Sequence, residues 1–198
     1  MELIIASKNL HKIREFRDIF KQIKKERVEL LSLLDFPEYE PPEETGGTFQ
    51  ENALIKSKHA ALWLRKRVIS DDSGLVVPAL EGAPGIYSRR YAGEKATDTD
   101  NRKKLLKAMT GFREEKRQAY FECSIALCSE VGEEKIFTGV CEGYLLTEER
   151  GNQGFGYDSL FVKHGYDKTF AELSESVKNR ISHRYKAFEK LMTALHLS

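Results

Sequence analysis

The sequence predicts a mixed α/β protein built round a long central sheet. Three observations carry that expectation. Short apolar runs at 3–6 and 68–70 stand beside long segments of helical periodicity, the alternation that α/β folds show. Two β-like segments, 118–129 and 135–146, are separated by Glu130-Val131-Gly132-Glu133-Glu134 and read as a hairpin. No internal repeat, low-complexity tract or linker interrupts the order.

Behind the first apolar run, Ile13, Phe16, Ile19, Phe20 and Ile23 recur at helical spacing, so a strand, a tight turn and an amphipathic helix open the chain. A second strand is expected over 28–34, followed by an irregular stretch over 35–47 rich in Pro, Glu and Gly. Thr48-Phe49-Gln50-Glu51 has the form of a capping box, in which the Thr hydroxyl and the Glu carboxylate each satisfy an amide at the helix start. A helix over about 49–67 follows. The strand at 68–70 runs into Asp71-Asp72-Ser73-Gly74, which puts the paired acids at a strand end, where sites in α/β folds form. A loop over 81–98 leads to a helix over roughly 99–109, and after the hairpin a strand near 158–162 and a helix over about 182–195 close the chain.

At 198 residues and 40% hydrophobic content the chain can bury a sizeable core, and a single domain spanning 1–198 is expected. The 32 basic and 31 acidic residues nearly cancel, which argues against nucleic acid or a lipid surface as partner and makes any phosphate binding local. The first residues lack the basic lead and apolar length of a signal peptide, and no later run approaches a membrane span. A cytoplasmic location is expected. Cys123, Cys128 and Cys141 form no C-x-x-C pair and have no His at zinc spacing, so they read as reduced strand residues.

Four groups of residues carry candidate chemistry. In Ser7-Lys8-Asn9-Leu10-His11-Lys12 a strand hands over to a helix whose unpaired amides attract anions, and Lys12 can place an ammonium on a phosphate. Taken alone, the segment favours Asn9 as a helix cap. The acids Glu43, Glu44, Asp71 and Asp72 come from separated segments, and adjacent carboxylates repel unless a proton or cation intervenes. Mg²⁺ suits them, because one or two carboxylates plus substrate phosphates commonly hold it. A solvated turn is the structural alternative for Asp71-Asp72. The glycines around Phe155 in Gly154-Phe155-Gly156-Tyr157-Asp158 permit close approach of a flat ligand such as a purine, or mark a β-turn with a core aromatic. Lys178 and Ser182-His183-Arg184 supply donors but few acceptors, which suits carbonyl oxygens of a base or a triphosphate.

Together with Glu51-Asn52-Ala53 and Gly82-Ala83-Pro84-Gly85-Ile86-Tyr87-Ser88, these motifs stand in an order that resembles the inosine/xanthosine triphosphate pyrophosphatase family, also called Ham1-like. The resemblance spans nearly the whole chain. It implies an elongated mixed β-sheet flanked by helices, two lobes with a central substrate cleft, a homodimer, and Mg²⁺-dependent conversion of ITP, dITP or XTP to the monophosphate and pyrophosphate. It further implies that Ser7, Lys8, Asn9, Leu10, His11 and Lys12 bind phosphate, that Glu43 and Asp72 contact the metal, and that Asp72 accepts a proton. Ser73, Phe155, Gly156, Tyr157, Asp158, Lys178, His183 and Arg184 would contact substrate, with Lys56 a further phosphate partner. Lys8 departs from the family, where many members have Gly. Recognition of the purine 6-keto oxygen by donors such as His183 or Arg184 would exclude adenine. The competing readings are a Maf-like pyrophosphatase and a nucleotide- or RNA-binding module; the Ser-His-Arg and Phe-Gly-Tyr-Asp motifs oppose the first, and the paired acids and near-zero net charge the second.

Overall fold

The computed structural model describes residues 2–22 and 29–195. Ile23 and Val28, assigned above to the first helix and second strand, lie outside the described residues. Strand β1 (Glu2–Ile5) pairs in parallel with β2 (Glu29–Ser32) and with β3 (Val68–Val76). With β4 (Gln118–Cys128), β5 (Glu134–Leu145) and β6 (Phe161–Lys163) they form a six-stranded sheet in the order β2-β1-β3-β4-β5-β6, in which β5 and β6 are antiparallel. The helices are α1 (Leu10–Gln22), α2 (Phe49–Leu64), α3 (Asp98–Ala108), α4 (Glu175–Ile181) and α5 (His183–Ala194). A mixed sheet flanked by helices is the expected fold class. Among the described residues no helix is long and apolar enough to cross a membrane.

The chain divides into two compact units, one formed by Met1–Asp72, Cys123–Gly139 and Arg184–Ser198, the other by Ser73–Glu122 and Val140–His183. In the first, the periodic face of α1 buries Ile13, Phe16 and Ile19, and Phe188 of α5 meets Phe16 and Phe20 at ring distances of 5.6 and 6.0 Å. In the second, Phe121, Phe161 and Phe170 form an aromatic cluster, with Phe121 4.8 Å from Phe161 and Phe161 5.0 Å from Phe170.

Several elements depart from the sequence expectation for identifiable reasons. β3 does not stop at Ser70 but runs nine residues to Val76, so Asp71 and Asp72 lie inside a strand and not at its end. Asp, Ser and Gly are poor strand formers, yet here tertiary partners satisfy the two acids and Gly74 is required by packing. A Cβ on Gly74 would come within 2.3 Å of Ser88 Oγ and 2.5 Å of the Gly85 carbonyl oxygen. Ser88 Oγ accepts from the Leu75 amide at 2.9 Å and donates to Gly85 O at 2.6 Å, so the Gly85–Ser88 motif braces β3. β6 begins at Phe161, after a turn that includes Asp158, and α4 was not foreseen. At the start of α2, Thr48 accepts from the Glu51 amide at 3.1 Å as expected, whereas the Glu51 carboxylate reaches the Gly47 amide at 2.7 Å and not that of Thr48.

Phe188→Ala removes a ring with no solvent exposure from the core of the first unit and is expected to cost about 3–5 kcal/mol. Chemical denaturation measures that loss; a change below about 1 kcal/mol would contradict the packing described.

Candidate active site

Because β1 ends at Ile5 while its parallel neighbour β3 continues, the turn after β1 and the start of α1 fall beside Asp71 and Asp72. The register fixes this, with Ile5 opposite Ile69 and the Ala6 amide donating to Ile69 O at 2.7 Å. Lys12, one turn into α1, reaches Asp71 Oδ2 at 2.9 Å. Arg184, at the start of α5, reaches the same oxygen at 3.2 Å and also pairs with Glu15 of α1. Burial pushes the Asp71 carboxyl up, but the charges of Lys12, Arg184 and Lys56 overturn that and hold it well below the usual carboxylate range.

Asp72 points into a separate set of partners. Lys56 of α2 lies 3.1 Å from Asp72 Oδ1 and 3.1 Å from Glu44 Oε1, bridging the two acids. One turn earlier on α2, Asn52 donates to Asp72 Oδ2 at 3.3 Å and accepts the Gly46 amide at 2.8 Å, which anchors the acidic loop to the helix. Burial leads at Asp72 and prevails over Lys56 and Lys12, so its carboxyl sits above the ordinary value, with Glu44 adding repulsion. Neighbouring carboxylates on one strand are thereby driven in opposite directions.

The second unit carries the glycine-aromatic turn. Asp158 Oδ2 accepts from the Phe155 amide at 2.9 Å and from Lys178 at 2.7 Å, and the Lys178 ammonium lies 4.9 Å from the centre of the Phe155 ring. Gly154 has φ +76°, and a Cβ there would lie 2.1 Å from Asp158 Oδ2, so only glycine lets the carboxylate close this turn. Tyr157 is buried and donates to Ser88 O at 2.9 Å. His183 stacks on Phe121 at 4.9 Å and an interplanar angle of 13°.

Residues 3–194 match the Ham1 family. The chain belongs to that family. It is 57% identical over 196 residues to a protein of Protochlamydia amoebophila named dITP/XTP pyrophosphatase, with 98% of each chain covered. A solved HAM1 protein from Coxiella burnetii is similar with a TM-score of 0.90 at 40% identity, over 100% of both chains. The Ham1 protein of Staphylococcus aureus gives a TM-score of 0.87 at 42% identity, covering 99% of this chain and 98% of that one.

In this Ham1-family chain the first unit gathers Ser7 to Lys12, Glu44, Lys56, Asp71, Asp72 and Arg184, and the second carries Ser73, Phe155 to Asp158, Lys178 and His183. The helix-start segment is partly spoken for. Asn9 Oδ1 accepts the His11 and Lys12 amides at 2.9 and 3.2 Å, and Lys8 donates to Tyr39 O at 3.0 Å, so capping and anchoring occupy groups expected to meet phosphate. Glu43 is exposed, and it is Glu44 that Lys56 draws to Asp72. Arg184, expected to contact substrate, has a guanidinium that is 2% exposed and engaged by Glu15 and Asp71. From sequence, Asn52 and Glu15 carry no individual role and Asp71 only a place among the acids that suit a cation, whereas all three pair with side chains of the site. Helical spacing held a signal for two of them, since Asn52 and Lys56 lie four apart and Lys12 and Glu15 three apart, each pair on one helix face.

Because the folded-state value of Asp71 is depressed, its ionised form stabilises the fold at neutral pH, and that contribution fades as pH falls below the unfolded-chain value of about 4. Asp71→Asn is therefore expected to lower the denaturant midpoint at about pH 7, with the gap to wild type narrowing towards about pH 3. A gap independent of pH would contradict the assignment.

Proposed function

We propose that this chain hydrolyses non-standard purine nucleoside triphosphates, dITP, XTP and ITP, to the monophosphate and pyrophosphate, removing them from the nucleotide pool. The observation that carries this reading is the geometry on β3, where Asp71 pairs with Lys12 at 2.9 Å and Asp72 meets Lys56 at 3.1 Å, an ammonium it shares with Glu44. Carboxylates and ammonium groups side by side suit a phosphate-bound cation and the phosphates themselves.

Mg²⁺ belongs to the proposal, and the residues present fit it. Among the described residues no three His, Cys, Asp or Glu side chains cluster to hold a metal alone. Mg²⁺ does not require three, since one or two carboxylates, substrate phosphates and water commonly complete its shell. Asp72 and Glu44, already drawn to one cation, would hold it, with Glu43 next in the chain. When bound it supplies charge neutralisation on the phosphates.

Asp72 takes the proton of the water that attacks the α-phosphorus, as the bond from that phosphorus to the bridging oxygen breaks and pyrophosphate leaves. Lys12 and Lys56 counter the charge that grows on the phosphate oxygens. Arg184 acts through Asp71, whose carboxylate it helps to position for Lys12. For the base, the Phe155 ring serves as stacking surface and His183 as donor to the 6-keto oxygen, a contact that the adenine amino group does not satisfy. On the same reading the working form is a cytoplasmic homodimer; three free, buried cysteines fit a reducing compartment.

Asp72→Asn is expected to lower kcat on ITP by about 10²–10⁴-fold while the fold persists. The check is a pyrophosphate-release panel over ITP, dITP, XTP, GTP and ATP, with Mg²⁺ and with a chelator, for wild type and variant. Near-normal turnover by the variant would remove Asp72 as base, and silence of the wild type across the panel would sink the proposed activity.

A further inference from the structure

Glycines flank Phe155 on both sides, so its ring stays in one place only if other groups hold the turn. Gly154 and Gly156 both have positive φ, +76° and +60°, and a backbone with two such residues is entropically costly to hold in one conformation. Asp158 and Lys178 fix the turn on its inner side. Its outer side is gripped by the first two turns of α3. Asp98 Oδ2 accepts the Gly156 amide at 2.7 Å, and Arg102 Nη1 donates to the Gly156 carbonyl at 2.9 Å.

These two bonds fall on different peptide groups. The amide of Gly156 belongs to the peptide that joins it to Phe155, and its carbonyl to the peptide that leads to Tyr157. α3 thus pins the peptide planes on both sides of the most permissive residue in the turn. Arg102 is itself held by its other guanidinium nitrogens, Nε on Glu149 at 2.8 Å and Nη2 on Thr99 at 3.1 Å, so the fork arrives pre-aimed. Ser159, just beyond the turn, donates to the same Glu149 oxygen at 3.0 Å.

We infer that Asp98 and Arg102 are positioning residues for purine binding, which fix the Phe155 ring through the two peptides of Gly156. The inference rests on the proposed function, because it concerns the ring that reading assigns to the base. A helix start that only braced the fold would affect every ligand alike, whereas this clamp acts on the base end alone. The free turn would pay the cost of ordering on binding, which appears in KM and not in the chemical step.

Asp98→Ala and Arg102→Ala, assayed separately, are each expected to raise KM for ITP about tenfold, as the loss of one charge-assisted hydrogen bond predicts, while kcat falls far less. Inhibition by inorganic pyrophosphate, which the groups of the first unit would bind, should keep its wild-type constant. Asp98→Asn retains an oxygen acceptor for the Gly156 amide and should restore the KM lost in Asp98→Ala. If KM stays near wild type in both alanine variants, if pyrophosphate affinity falls in parallel, or if Asn fails to restore KM, the clamp is not a positioning device. Should Arg102→Ala fold poorly, Asp98→Ala tests the same turn from the other peptide. Phe155→Ala separates the two ideas: an unchanged KM in that variant overturns the base assignment itself, and a raised KM there with unaffected clamp variants overturns only the inference.

Discussion

A carboxylate that is 3% exposed stays ionised only when cations reach it, and Asp71 draws them from Lys12 on α1 and Arg184 on α5. An unpaired charge in that position would cost several kcal/mol, so three elements distant in sequence are obliged to converge. Arg184 lies 113 residues from Asp71 along the chain and 169 from Glu15. The start of α1, the middle of β3 and the start of α5 are therefore fixed relative to one another by charge as well as by the Phe16–Phe188 packing behind them. With Asp71 committed to this network, Asp72 is left as the carboxylate with a chemical choice.

The same economy governs the second unit, where Asp158 and Lys178 neutralise one another in the interior and shape the turn that carries Phe155. There the buried ion pair specifies a backbone conformation. Glycines supply the left-handed dihedrals, the carboxylate supplies the closure, and α3 supplies the outer grip. Hydrophobic burial holds the surrounding cluster of Phe121, Phe161 and Phe170 together but does not by itself choose the direction in which Phe155 faces.

Much of this was legible in the residues. The period of α1, the capping threonine of α2 and the hairpin of β4 and β5 follow from local chemistry and appear where the patterns put them. Asp-Asp-Ser-Gly resembles a turn, so the local pattern ends β3 at Ser70, and only the buried partners of the two acids make the rest a strand. Arg184 reads locally as a donor at a helix start, and nothing within a few residues of Glu43 and Glu44 says which of them Lys56 reaches.

The sequence by itself determined the family, the fold class and the set of acids, bases and glycines available, since these depend on residue type, order and short-range periodicity. Tertiary structure alone decided that Asp71 is a structural anion and Asp72 a raised one, that Lys56 joins Asp72 to Glu44, and that Gly156 is gripped from α3. The physical reason is that protonation and pairing are set by burial and by charges a few ångströms away in space, and those neighbours come from positions that chain order does not bring together.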